Sequence, residues 1–254
     1  MKTQHYIIGD VHGNYLTLLN LLKKIPEKAI IIFVGDLIDR GPLSKEVVKL
    51  IREKKYQCIL GNHEGFMIKY GEYLTSLMLE DGIMPRTSQF WLANGGLETL
   101  KSYGIIDGND YGIDLIEENL SENINVLLSD IEWMKTLPRY IELDIEHKSG
   151  LPVVISHASI GSVWHMRKIE SLKERFYTMC NTNRRNPDDT ATIFNIFGHT
   201  IVSDDVDKQV NYVNVDTGCY YNRFGHNLLS CYCVETNESI NEKRVDEDFW
   251  MDNF

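Results

Sequence analysis

Five times between residues 9 and 200, an apolar, strand-like run stops at a short polar segment: GDVHG (9–13), GDLIDRG (35–41), GNHE (61–64), SHA (156–158) and GHT (198–200). The first three close the strands of a β-α-β-α-β alternation. Apolar residues 5–8 lead to a helical stretch at 15–24. A near-continuous apolar run at 29–34 reads as a strand buried on both faces. A second helical stretch at 44–53 carries Val47, Val48, Leu50 and Ile51 on one side, and a third strand is expected near 56–60. In such α/β layouts ligands gather outside the carboxyl ends of the strands. The five segments lie at those ends.

Residues 64–137 read as helical, broken near Gly82 and Pro85 and again at 104–112. Strands are expected at 140–145, 153–155, 193–197, 210–215 and 228–234, with a polar loop at 181–189 (NTNRRNPDD). Beyond Glu238 the tail is acidic and expected to pack poorly, although Phe249 and Trp250 could dock. There is neither linker nor repeat. The expectation is one domain over residues 1–254, with a helical insertion at about 66–137. A chain of 254 residues can bury a sizeable core.

Composition narrows the function classes. No apolar stretch approaches the ~20 residues that span a bilayer, so no membrane partner is expected. The first polar segment begins at Gly9 and leaves almost no room for a cleavable leader, which makes the cytoplasm the expected compartment. The five cysteines have no framework spacing. Cys231 and Cys233 are two apart on a strand and read as buried structural thiols. The formal charge of −11 comes without a basic cluster, so a nucleic-acid partner is not expected either.

The polar segments supply Asp, His and Asn, which are ligands for hard or borderline divalent metals. Asp10 and His12 could reach one ion from a single loop. Asp36 has two carboxylate oxygens and can bridge two ions, and Asn62, His157 and His199 would complete a second site. A lone histidine after a strand is most often structural. Five such segments at strand ends point instead to one site. His5, His147, His165 and His226 fall in no motif and read as surface or core residues.

The order of these motifs resembles the phosphoprotein phosphatase family of calcineurin-like metallophosphoesterases, especially its compact bacterial and phage-type members. The likeness spans residues 9–200, and NVDTG (214–218) fits the family's closing strand. It implies an α/β fold in which a central β-sandwich is flanked by helices and carries a helical insertion. It implies two divalent ions, Mn2+ by analogy, with Fe, Zn and Mg compatible with the same ligands. Asp10, His12 and Asp36 would hold the first, and Asp36, Asn62, His157 and His199 the second. The reaction implied is in-line attack on phosphorus by a metal-bridging hydroxide. His63 matches the general acid, Asp39 would hold its ring, and Arg40 would bind phosphate. Two departures stand out. Leu60 occupies the position where many members carry an arginine before GNHE. The later arginine of the family is assigned to Arg184, ahead of Arg185 and Arg167.

The implied activity is that of a Ser/Thr protein phosphatase, with or without tyrosine activity, acting on a phosphorylated protein or peptide or a small phosphate ester. One alternative is a hydrolase of dinucleoside polyphosphates such as diadenosine tetraphosphate, and another is a non-catalytic binding module. Glu64 favours the phosphatase, since the dinucleotide enzymes more often read GNHD. From Glu64 to Leu137 there are only four cations (Lys69, Arg86, Lys101, Lys135) against 13 acidic residues, a poor cradle for a polyphosphate. Trp91 and the following LANGG, with Leu97, Leu100 and Tyr103, resemble a segment of bacterial protein phosphatases, and equally read as a helical cap packed on the core.

Overall fold

The computed structural model describes residues 3–80, 86–109, 112–183, 190–202, 204–221, 227–246 and 248. The predicted alternation is present as β1 (His5–Ile8), α1 (Tyr15–Lys24), β2 (Ile30–Phe33), α2 (Ser44–Lys54) and β3, which is only Gln57–Cys58. Strands β1, β2 and β3 are parallel. On the other side of β1 lies antiparallel β11 (Leu228–Cys233), followed by β12 (Glu238–Lys243). A second five-stranded sheet has the order β6 (Tyr140–Glu146), β7 (Pro152–Ser156), β8 (Phe194–Phe197), β10 (Tyr212–Asn214) and β9 (Asp207–Lys208).

Side-chain alternation along the strands explains the layering. Ile7, Ile32 and Tyr232 meet Val153, Ile155, Phe194 and Ile196 between the two sheets. Tyr6, Ile8 and Phe33 point the other way, onto α1, α2 and the helices that follow β3. The outer face of the second sheet is covered by Val163 and Trp164 of the 3-10 turn Gly161–Lys168 and by Phe176 of a helix at Lys173–Thr182. Strands covered on both faces are apolar at most positions and carry no polar alternation; the buried Asn195 of β8 is satisfied by Ile160, Val154 and Ser156.

Between β3 and β6 run α3 (Asn62–Glu80), α4 (Leu97–Ser102) and α5 (Leu120–Lys135); the helix at Lys173–Thr182 is α6. The segment expected to be helical also contains a hairpin, β4 (Ile106–Asn109) with β5 (Gly112–Leu115), in the second predicted break. Two corrections concern the tail. Residues expected to pack poorly form β12, an edge strand paired to β11 over six residues, and Asp248 is buried against Thr17. Its sequence ESINEK is charged because an edge strand is held by backbone bonds and faces solvent. Phe249 and Trp250 lie outside the described residues. All five cysteines are buried and free, and Cys231 and Cys233 share the helix-facing side of β11. Among the described residues no helix is long and apolar enough to cross a membrane.

Phe176 is fully buried at the centre of the outer cluster and packs edge-on against Tyr140. Phe176→Ala is expected to cost about 3–5 kcal/mol in urea unfolding; a loss below about 1 kcal/mol would contradict this packing.

Candidate active site

The β-strands of both sheets deliver their polar segments to one edge of the sandwich, and the local backbone there is unusual. Among the described residues nine non-glycine positions have positive φ, and five of them are His12, Asp36, Asp39, Arg40 and His199. A side chain in this region costs of order 1–3 kcal/mol, and such costs persist where the surroundings over-determine the conformation. Glu64 supplies part of that constraint. Its carboxylate accepts the backbone N–H groups of Asp36 (2.9 Å), Leu37 (2.8 Å) and Gly61 (2.9 Å), tying two loops together. A Cβ on Gly61 would stand 2.3 Å from the Asp36 nitrogen, so only glycine fits there. Burial and the neighbouring Asp36 raise Glu64 to about 7 despite these donors.

Asp36 is the shared element. Its carboxylate joins His12 and His63 in one group and His157 and His199 in another, each group with ligand atoms within 4.8 Å of one another. Burial opposes its ionisation, but His157, His63, His12 and the backbone N–H of His63 outweigh that and hold it well below the usual carboxylate range. His12 and His157 use Nδ1 on the carbonyls of Ile38 and Val34, both at 2.9 Å. Nδ1 therefore carries the proton, and the Nε2 lone pairs face the cleft. His157 Nε2 lies 2.9 Å from Asn62 Oδ1 and 3.4 Å from Asp36 Oδ1. Asn62 Oδ1 is also 2.8 Å from His199 Nδ1. With its Nδ1 proton donated to the Val34 carbonyl, His157 Nε2 is an acceptor, and acceptors this close to Asn62 Oδ1 and Asp36 Oδ1 repel one another unless a cation lies among them. Burial lowers the pKa of His157 and of His12, which disfavours a proton in that role. The donor set therefore fits divalent metal.

Asp10 is placed differently from its neighbours. Its carboxylate accepts the His199 backbone N–H at 3.1 Å, and Gly198 passes so close that a Cβ would stand 2.1 Å from Oδ1. Burial, then Asp216 and Asp36, push its pKa well up. Asp216, in the NVDTG segment, is buried and raised to about 7 by desolvation. The motif was visible in the sequence, but nothing there set this carboxylate beside Asp10 and Asp36.

His63 Nδ1 lies 2.7 Å from Asp39 Oδ2. Burial opposes protonation of the ring, but Asp36 and the Asp39 hydrogen bond raise its pKa overall. Asp39 also accepts from Trp91 Nε1 (3.1 Å) and Thr99 Oγ1 (2.6 Å), and its own N–H is satisfied by Ser44 and Thr99. Trp91 is thus both the buried cap residue and a polar partner of Asp39. The Arg40 backbone N–H donates to the Gly95 carbonyl. Its guanidinium reaches His12 Nε2 at 2.8 Å and lies 4.0 Å over the Tyr220 ring, a residue for which the sequence offered no signal.

Other candidates stand elsewhere. Leu60 is buried in the apolar core. Arg167 lies over the Trp164 ring and donates to its carbonyl, while Arg184, Arg185 and His226 fall outside the described residues. His5 pairs with Glu235, His147 stacks on Phe194, and His165 is exposed.

Residues 5–203 match the family described as calcineurin-like phosphoesterase. The chain belongs to this family. It is a metallophosphoesterase, and its relatives divide by name. It is 28% identical to serine/threonine-protein phosphatase 2 of Escherichia coli, over 86% of this chain and 90% of that one. It is also 28% identical to a symmetrical bis(5'-nucleosyl)-tetraphosphatase of Coxiella burnetii, over 76% of this chain but 53% of that one. A solved protein serine/threonine phosphatase of Saccharomyces cerevisiae shares the fold, with TM-score 0.55 and 15% identity, covering 96% of this chain and 80% of that one.

Burial and neighbouring carboxylates raise Asp10 well above the usual carboxylate range and Asp216 to about 7, so both favour their protons until a cation displaces them. Titrating Mn2+ into the metal-stripped protein at pH 6, in buffers of different ionisation enthalpy, should release about one proton or more per chain. Zero release, or net uptake, would show that Asp10 and Asp216 do not sense the ion.

Proposed function

We propose that this chain hydrolyses phosphomonoesters of serine and threonine in proteins or peptides, with His63 as the acid that protonates the departing oxygen. The observation that carries the reading is the buried His63–Asp39 pair at 2.7 Å. An alkyl phosphate releases a poor leaving group that needs a proton, whereas the phosphate-anhydride bond of a dinucleoside polyphosphate releases a good one. The cleft itself supports the same choice. It encloses about 260 Å³ between Arg40, Asn62, His63, His199 and Tyr220, room for one phosphoryl group and the start of a side chain. Among the described residues Arg40 is the one guanidinium lining it. The match over nearly the whole length of the E. coli phosphatase agrees with this scale.

The chain's own residues have separable tasks in this reading. Asp39, fixed by Trp91 and Thr99, holds the Nδ1 proton and with Asp36 favours the imidazolium form of His63, in which Nε2 also carries a proton and presents it to the cleft. Arg40, flattened against Tyr220, offers planar donors to the phosphate oxygens. Asp10, His12 and Asp36 would hold one divalent ion, and Asp36, Asn62, His157 and His199 the other. Bound there, two ions, Mn2+ in our reading, polarise the phosphoryl group and make a water nucleophilic at neutral pH. A second phosphate clamp is assigned to Arg184. A fold kept only for binding would have no use for a histidine poised this way.

Wild type and His63→Asn should be compared, with Mn2+ present, on a phosphothreonine peptide, p-nitrophenyl phosphate and diadenosine tetraphosphate. Wild type should favour the peptide over the tetraphosphate in kcat/KM. The substitution should lower kcat on the peptide by about 10²–10⁴-fold, and by much less on the aryl ester, whose phenolate leaves without a proton. Equal losses on both esters would remove His63 from the acid role. A preference for the tetraphosphate would replace the monoesterase reading.

A further inference from the structure

We infer that Phe66, Tyr70 and Phe90 form a subsite for a large apolar side chain adjacent to the phosphorylated serine or threonine. The inference rests on the monoesterase reading and names its substrate more closely. Nδ1 of His63 is committed to Asp39, so the leaving oxygen must lie on the Nε2 side. His63 is the second residue of α3, and Phe66, Tyr70 and Tyr73 follow at i+3, i+7 and i+10. That spacing puts them on the stripe of the helix that bears the acid. The Phe66 ring stands edge-on to His63, with centroids 5.3 Å apart. Phe90, from the opposite side, meets Phe66 edge-on at 4.9 Å and lies 6.1 Å from Tyr70.

Exposure separates this set from ordinary core. Phe66 and Tyr70 pack one side against the core, but Phe90 is 53% exposed and Tyr73 60%. A single exposed aromatic needs no explanation; a run of rings that starts at a catalytic histidine does. A polypeptide with its phosphate in the cleft and its alkyl oxygen at His63 brings its neighbouring residues over these rings. Edge-to-face contact and the loss of water from both surfaces would favour an aromatic or large aliphatic side chain there.

The test uses Mn2+-loaded full-length protein and phosphothreonine peptides with Phe or Ala at each position flanking the phosphothreonine. Wild type should show kcat/KM about tenfold higher for Phe than for Ala on one flank, as expected for an apolar subsite. Phe90→Ala should bring that ratio to within about twofold, and Phe90→Tyr should keep it. A wild-type ratio near one, or a ratio that survives Phe90→Ala, overturns the subsite. If no peptide is turned over while diadenosine tetraphosphate is, the monoesterase reading itself fails. Should Phe90→Ala then slow the tetraphosphate, the rings belong to a nucleobase and the peptide occupant is wrong.

Discussion

A cluster of buried carboxyl groups at the ends of the strands is the constraint on which the rest of this molecule depends. Asp10, Asp36 and Asp216 are all removed from water at the same edge of the sandwich, where each raises the cost of ionising another. Only Asp36 escapes, because three imidazoles and a backbone N–H surround it. Uncompensated carboxylates in such a place would destabilise the fold by several kcal/mol each. Divalent cations bound there would resolve the conflict. The tautomers of His12 and His157, both set by backbone carbonyls, leave Nε2 lone pairs on the cleft side, that of His157 beside Asp36 and Asn62 and that of His12 against the Arg40 guanidinium.

The same region also concentrates backbone strain, and the remainder of the chain supplies the rigidity that holds it. Glu64 clamps the second and third polar segments, while α4 and the turn before it reach over to fix Asp39 and Arg40 through Thr99, Trp91 and Gly95. The segment between α3 and β6 therefore does more than cover the sheet. It carries Trp91 and Thr99, which hold Asp39 against Nδ1 of His63, and it places Phe90 against Phe66.

Much of the architecture was legible because burial on both faces writes itself into sequence as largely apolar runs; β1, β2, β7, β8 and β11 are of this kind, with single buried polar residues such as Asn195 in β8 and Ser230 in β11. Strands β9 and β12 were not legible. Two residues give no period, and ESINEK is an edge strand whose pairing is made by backbone atoms alone. The hairpin of β4 and β5 was hidden behind glycines that equally mark a broken helix. At the site, every member of the two groups around Asp36 stands in a motif visible in the sequence. What pattern cannot convey is conformation and distance: the positive φ of Asp36 and His199, the turning of Asp10 toward a backbone N–H, and the arrival of Asp216 and Tyr220 from the far end of the chain.

The central claim is that one carboxylate, Asp36, serves two cations at once. Metal analysis of the wild type and of Asp36→Asn, each purified and equilibrated with Mn2+, tests it most directly. The shared position predicts about two ions per wild-type chain and, because one change weakens both sites, about one or fewer in the variant, with turnover largely abolished. Two ions retained at full occupancy in Asp36→Asn, with activity intact, would contradict it.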